Sequence, residues 1–130
     1  MMLPNVKFTG FVGGEEKHRL LRECRAVLFP SLWNEPLSTV AYEAYDMEKP
    51  VICSDRGGMS EIVVDGITGR LLAPADSQAW KEAISELALD EELARKLGLQ
   101  SKAWLRENVS WKTWFSNFEM IVSRMASVDG

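Results

Sequence analysis

The spacing of apolar and polar residues changes period several times along the chain. Val6-Lys7-Phe8 alternates as a short strand does and ends in Gly10, with Gly13-Gly14 just beyond. Leu20, Leu21 and Cys24 then recur at helical spacing, which predicts a helix over residues 15–24. Ala26-Val27-Leu28-Phe29 is an unbroken apolar run stopped by Pro30, the pattern of a strand buried on both faces of a parallel sheet. Val40, Ala41, Ala44 and Met47 predict a helix over residues 36–47, with Pro36 in its first turn, where a missing N–H costs no intrahelical bond. Pro50-Val51-Ile52-Cys53-Ser54 reads as a second buried strand, and Gly57-Gly58 as a turn before a short helix over residues 61–64. Residues 65–69 then reverse the chain tightly into the strand Arg70-Leu71-Leu72.

After Pro74-Ala75-Asp76, the residues Ala79, Trp80, Ala83, Ile84 and Leu87 follow a helical period. Asp90 can cap a second helix whose first turn holds Glu91 and Glu92, and Gly98 weakens the interior of that helix. A last helix over residues 111–126, entered at Ser110, gathers Trp111, Trp114, Phe115, Phe118, Ile121, Val122 and Met125 on one broad face. Strands alternating with helices specify an α/β fold: a Rossmann-like parallel sheet with flanking helices, in one domain spanning residues 1–130. Such sheets bind ligands beyond the carboxyl ends of their strands, which directs attention to the loops after Phe29 and Ser54.

Composition narrows the partners. With 46% hydrophobic and 26% charged residues a packed domain is expected rather than a disordered chain. Fifteen basic against 19 acidic residues give a net charge of -4, and no basic cluster forms, which argues against nucleic acid. The longest apolar run is four residues, so no transmembrane segment is expected; the N-terminus has no secretory h-region, and a cytoplasmic location is expected. Cys24 and Cys53 lack any CxxC spacing and read as free thiols, and His18, the only histidine, reads as part of a solvated helix face. No GxG, GxxxxGK[ST] or Asp-x-Asp occurs, so neither a dinucleotide loop, a P-loop nor a metal-holding aspartate pair is expected, and no cofactor or metal is called for.

The chemistry concentrates in the stretch from Pro30 to Ala44. If a helix starts there, the amides of Leu37, Ser38 and Thr39 are unpaired donors at its positive end, a natural site for phosphate. Glu35 sits at the mouth of that site. Glu43, eight residues on, lies about 80° further round at about 100° per residue, so both carboxylates can border one pocket. Acceptors at two depths suit the hydroxyls of a sugar and of a ribose.

These residues resemble a family. Glu35 and Glu43 resemble the paired glutamates of the retaining GT-B glycosyltransferases of family 4, and residues 57–72, Gly-Gly-Met-Ser-Glu-Ile-Val-Val-Asp-Gly-Ile-Thr-Gly-Arg-Leu-Leu, resemble the stretch that follows in the same family. The resemblance covers about residues 6–110. It implies the second half of the C-terminal, donor-binding domain of a GT-B enzyme, with a nucleotide-sugar as donor and no metal requirement. Glu35 would be the catalytic-site residue holding donor-sugar hydroxyls, the amides of residues 37–39 would approach sugar and diphosphate, Glu43 would accept from the ribose, and Phe11 and Val12 would face the base.

Two departures stand out. Leu37-Ser38 replaces the usual Phe-Gly, and Glu48 stands where a glycine commonly ends the helix, so either Glu48 adopts a left-handed backbone or the helix ends differently. The resemblance further implies that the basic residues for the diphosphate and the whole N-terminal acceptor domain lie outside this chain. A truncated enzyme or one part of a split protein, inactive alone, is the resulting expectation. The alternative is a non-catalytic oligomerising α/β module, a homodimer through the C-terminal helix.

Overall fold

Three short strands carry the sheet, in an order that follows the chain. The computed structural model describes residues 3–36 and 38–128. In it β1 (Val27–Phe29), β2 (Val51–Ser54) and β3 (Gly69–Leu72) run parallel in the order β1-β2-β3, with Phe29 beside Cys53 and Cys53 beside Leu71. Helix α1 (Gly14–Glu23) leads into β1, α2 (Thr39–Asp46) joins β1 to β2, and the single turn α3 (Met59–Ile62) joins β2 to β3. Helices α4 (Ser77–Leu89), α5 (Glu91–Asn108) and α6 (Trp111–Val128) complete the chain. Asp76, Asp90 and Ser110 each accept the amide three residues on, Ala79, Leu93 and Thr113, at the starts of these last three helices.

β2 is buried along its whole length, and its alternate residues feed two cores. Val51 and Cys53 face Leu21 of α1, Ala41, Ala44 and Tyr45 of α2, and Met59 and Ile62 of α3. Ile52 faces the opposite way, into Ala83 and Leu87 of α4 and Ala94 and Leu97 of α5. The buried Tyr45 hydroxyl donates to Ile62 O at 2.9 Å and is 2.8 Å from Thr68 Oγ1, which accepts the Val64 amide at 2.9 Å. This polar knot pins α2 to the turn before β3, and burial holds the Tyr45 phenol well above its usual range.

The end of α2 follows from one residue. Glu48 has φ 60, the left-handed region, and its amide bonds Tyr45 O at 3.0 Å while the Lys49 amide bonds Ala44 O at 2.9 Å. These two bonds are the 5→2 and 6→1 pair of a Schellman motif. The left-handed alternative for Glu48 is therefore the one adopted. Gly98 of α5 fits against this turn so closely that a Cβ there would lie 2.0 Å from Glu48 O, which explains a glycine inside a long helix.

Several expectations change. Val6-Lys7-Phe8 forms no strand: it is exposed coil, because a strand needs a neighbouring edge and none of the described strands lies beside it. The strand over residues 26–29 is not buried on both faces. β1 is an edge strand, and Leu28 is 41% exposed at the margin of a recess of about 550 Å³ shared with Trp80 and Ile84 of α4. Helix α2 starts at Thr39 rather than in the turn of Pro36, since the preceding loop is held by contacts described below. The short helix falls at Met59–Ile62, ahead of residues 61–64. Helix α6 leaves its apolar face open, with Trp111 75% and Trp114 54% exposed.

Candidate functional site

The parallel register brings the loops that leave β1 and β2 to the same end of the sheet, and there they touch. The Gly58 amide donates to Glu35 O at 2.9 Å. Gly57 has φ +59, and a Cβ on it would lie 2.2 Å from Glu35 O and 2.7 Å from Glu35 N. Only glycine allows both the backbone turn and this approach. The Ser31 hydroxyl donates to Glu35 Oε2 across four residues of the same loop. These contacts hold residues 31–35 in a closed loop, so helical geometry begins only after Ser38, whose extended backbone (φ -93, ψ 119) makes it the N-cap.

The Ser38 side chain makes no capping bond, unlike Asp76, Asp90 and Ser110. Among the described residues the amides of Thr39 and Val40 find no acceptor, whereas Ala41 bonds Ser38 O at 3.2 Å. Among the described residues the unbonded donors at the positive end of α2 thus start two residues further along than the sequence pattern places them. Leu37, expected among the donors, lies outside the described residues.

Glu43 lies one turn into α2, half-buried and already paired. Lys17 of α1 places its Nζ 2.9 Å from Glu43 Oε2 and hydrogen-bonds Oε1 at 3.2 Å; Oε2 is buried and out of line for a hydrogen bond. A ribose at this position would share Glu43 with Lys17 or displace it. Phe11 is 98% exposed and Val12 half-buried, in the bend that leads into α1. Glu35 is thus tied to Ser31 and to the Gly57–Gly58 turn, Ser38 and Thr39 open α2, Glu43 is joined to α1 through Lys17, and Phe11 and Val12 lie just ahead of the first turn of α1.

Lys17, Ser31 and Arg56 carry no signal in sequence spacing yet border this region. Lys17 is 26 residues from Glu43, Ser31 reads as an ordinary loop serine, and Arg56, exposed, precedes Gly57 in the turn that meets Glu35. Behind the site, burial and then the charges of Asp55, Asp65 and Glu35 push the Cys53 thiol up to about 12. Burial, together with the nearby Glu61 carboxylate, raises Tyr42. Among the described residues no group of three or more His, Cys, Asp or Glu side chains could hold a metal ion, and no helix is long and apolar enough to cross a membrane.

Residues 2–104 match the family described as glycosyl transferases group 1. O-antigen chain mannosyltransferase C of Escherichia coli is 37% identical over 107 residues, which cover 81% of this chain and 29% of that protein. Among solved structures, Anabaena HepE in complex with UDP-glucose superposes with a TM-score of 0.77 at 26% identity, over 93% of this chain and 33% of that one. Sucrose-phosphate synthase from Thermosynechococcus elongatus superposes with a TM-score of 0.73 at 27% identity, over 92% of this chain and 30% of that one. The chain thus spans about a third or less of the length of these relatives.

Proposed function

The chain belongs to the glycosyl transferases group 1, and from that premise we propose that it is the donor half-site of a retaining, family 4 glycosyltransferase, binding a nucleotide-sugar without a metal ion. The observation that carries this reading is that α2 begins without a side-chain cap, after the loop that leaves the carboxyl end of β1 and in which Ser31 and Gly58 hold Glu35. In this reading the Thr39 and Val40 amides meet the diphosphate, Glu35 accepts from donor-sugar hydroxyls, Glu43 from the ribose, and the bend at Phe11 and Val12 faces the base. Transfer requires an acceptor-binding domain from elsewhere, so the chain alone binds donor but does not turn it over. A cytoplasmic setting belongs to the same reading and fits the two unpaired thiols.

Two charge-assisted contacts to the diphosphate, at roughly 1.5–3 kcal/mol each, are missing from the half-site, which weakens binding a hundredfold or more, toward millimolar. Titration with UDP and UDP-glucose, followed by NMR, tests the assignment. Glu43→Gln weakens both ligands; Glu35→Gln weakens UDP-glucose and spares UDP. Submicromolar affinity overturns the half-site account, and no binding at several millimolar overturns the donor reading.

A second reading is favoured by α6. Its eight large apolar side chains from Trp111 to Met125, Met120 included, each between 45% and 75% exposed, leave on the order of 800 Å² of apolar surface, about what one partner contributes to a standard interface. Stacking of Trp111 on Trp114 (5.0 Å) and of Trp114 on Phe118 (5.3 Å) makes this surface a continuous ribbon. In the isolated chain a second copy covers it, giving an oligomerising module whether or not donor binds; in a whole enzyme the acceptor domain competes for the same face. Sedimentation equilibrium at micromolar concentration should show dimers that Trp114→Ser with Phe118→Ser dissociates. A monomer unaffected by those changes removes this reading.

A further inference from the structure

A glutamate that must meet a sugar hydroxyl has three rotatable side-chain bonds, and an unrestrained one spends most of its time elsewhere. Glu35 is restrained at both ends. Its backbone carbonyl accepts the Gly58 amide at 2.9 Å, against a Gly57 that leaves no room for a Cβ, and its carboxylate accepts the Ser31 hydroxyl through Oε2. One carboxylate oxygen is thereby committed to the protein and the other, Oε1, is left to accept from a ligand. We propose that Ser31 is the positioning residue of the donor site: with the Gly57–Gly58 turn fixing the backbone, the Ser31 hydroxyl holds the Glu35 carboxylate in the one rotamer that presents Oε1 to the donor sugar.

The inference rests on the reading of Glu35 as the sugar acceptor, but part of it is testable without ligand. Ser31 lies directly after Pro30, at the point where the chain leaves β1, and Glu35 lies where the same loop meets the turn after β2. The hydroxyl therefore spans the loop from its sheet-anchored start to its glycine-anchored end. The substitution Ser31→Thr keeps a donor hydroxyl on the same backbone, whereas Ser31→Ala removes it with little change in volume.

The test uses the full chain as wild type, Ser31→Ala, Ser31→Thr, Glu35→Gln and the double variant Ser31→Ala/Glu35→Gln. Vicinal couplings of the Glu35 side chain, measured by NMR without ligand, should report one rotamer in wild type and Ser31→Thr and averaging in Ser31→Ala. Titration should show Ser31→Ala losing affinity for UDP-glucose on the order of tenfold, the worth of one hydrogen bond to a charged group. UDP affinity and melting temperature should stay near wild type. Ser31→Thr should restore most of the loss, and in the Glu35→Gln background Ser31→Ala should add little, because the two act as one unit. Averaged couplings in the wild type, an equal loss for UDP and UDP-glucose, or full additivity of the two changes overturns the proposal. If Glu35→Gln itself leaves the preference for UDP-glucose intact, the donor reading of Glu35 has failed, and the couplings still decide whether Ser31 positions that side chain.

Discussion

Replacing Gly98 by alanine sets two effects of opposite sign against each other. In the middle of an exposed helix the change gains about 0.8–1 kcal/mol in helix propensity. Here the new Cβ would lie 2.0 Å from Glu48 O and 2.7 Å from Glu48 C, so the backbones of α5 and of the turn ending α2 must separate by about 1 Å or more to restore ordinary contact. The turn cannot yield cheaply, since the Schellman bonds from Glu48 to Tyr45 O and from Lys49 to Ala44 O hold it. Nor can α5, whose Ala94, Leu97 and Ser101 are buried around Gly98. Overpacking of this kind costs about 1–3 kcal/mol and more where backbone is the obstacle, so a net loss of about 2 kcal/mol is expected. For 130 residues, at about 2.1 cal/mol/K per residue, that is a fall of about 7 °C in melting temperature. Urea denaturation followed by far-UV circular dichroism, with calorimetry for the midpoint, measures it. A Gly98→Ala protein more stable than wild type would mean that propensity decides the sign and that α5 does not pack on this turn.

Glu48→Gly acts on the same junction from the other side. It relieves a left-handed residue at about 1–2 kcal/mol, against about 0.4–1 kcal/mol of added unfolded-chain entropy and the weak contact of Glu48 with Lys102 at 3.8 Å, for a net gain of about 0.5 kcal/mol. A lower melting temperature contradicts the account. The Cys53 thiol, held neutral up to about 12 in the fold, gives stability that is complete below its ordinary value of 9.0 and drains away as pH rises from there toward 12, by about 1.4 kcal/mol per unit while the unfolded thiol alone is ionised. Denaturation curves between pH 8 and pH 10 should therefore slope downward in wild type and flatten in Cys53→Ala; parallel slopes overturn this assignment.

What the sequence made legible was mostly local. Val51-Ile52-Cys53 is apolar on both sides of the pleat and became the central strand, and Asp90 capped its helix as its position before Glu91 and Glu92 suggests. Glu48, standing where the resembling family commonly has a helix-ending glycine, left two outcomes open, a left-handed residue or a different helix end, and packing against α5 and the strand beyond decided for the first. The misreadings all depend on neighbours that spacing cannot supply. Val6-Lys7-Phe8 alternates correctly, but strand formation requires an adjacent edge; Leu28 sits in an apolar run, but burial of its face requires a helix that covers it. At the site, Glu35, Ser38 and Thr39 are close in sequence and could be singled out as one stretch for that reason, whereas Lys17 meets Glu43 from 26 residues away. The start of α2 moved from Pro36 to Thr39 because the loop answers to Gly57 and Gly58, which only the fold brings alongside.

The distribution of tryptophans has a practical consequence for spectroscopy. Three of the five, Trp33, Trp111 and Trp114, are more than half exposed, and only Trp80 and Trp104 contact the cores. Intrinsic emission of the folded chain is therefore dominated by indoles already in water, so unfolding produces a small red shift that understates the loss of structure. Covering α6 works in the other direction, moving Trp111 and Trp114 into an apolar setting and shifting emission to the blue while the cores stay unchanged. The same stacked pair, with ring planes 19° apart, couples its transitions and adds a near-ultraviolet dichroism signal that belongs to α6 alone. Fluorescence on this chain is a gauge of what docks on its last helix, and melting curves are better taken from the backbone.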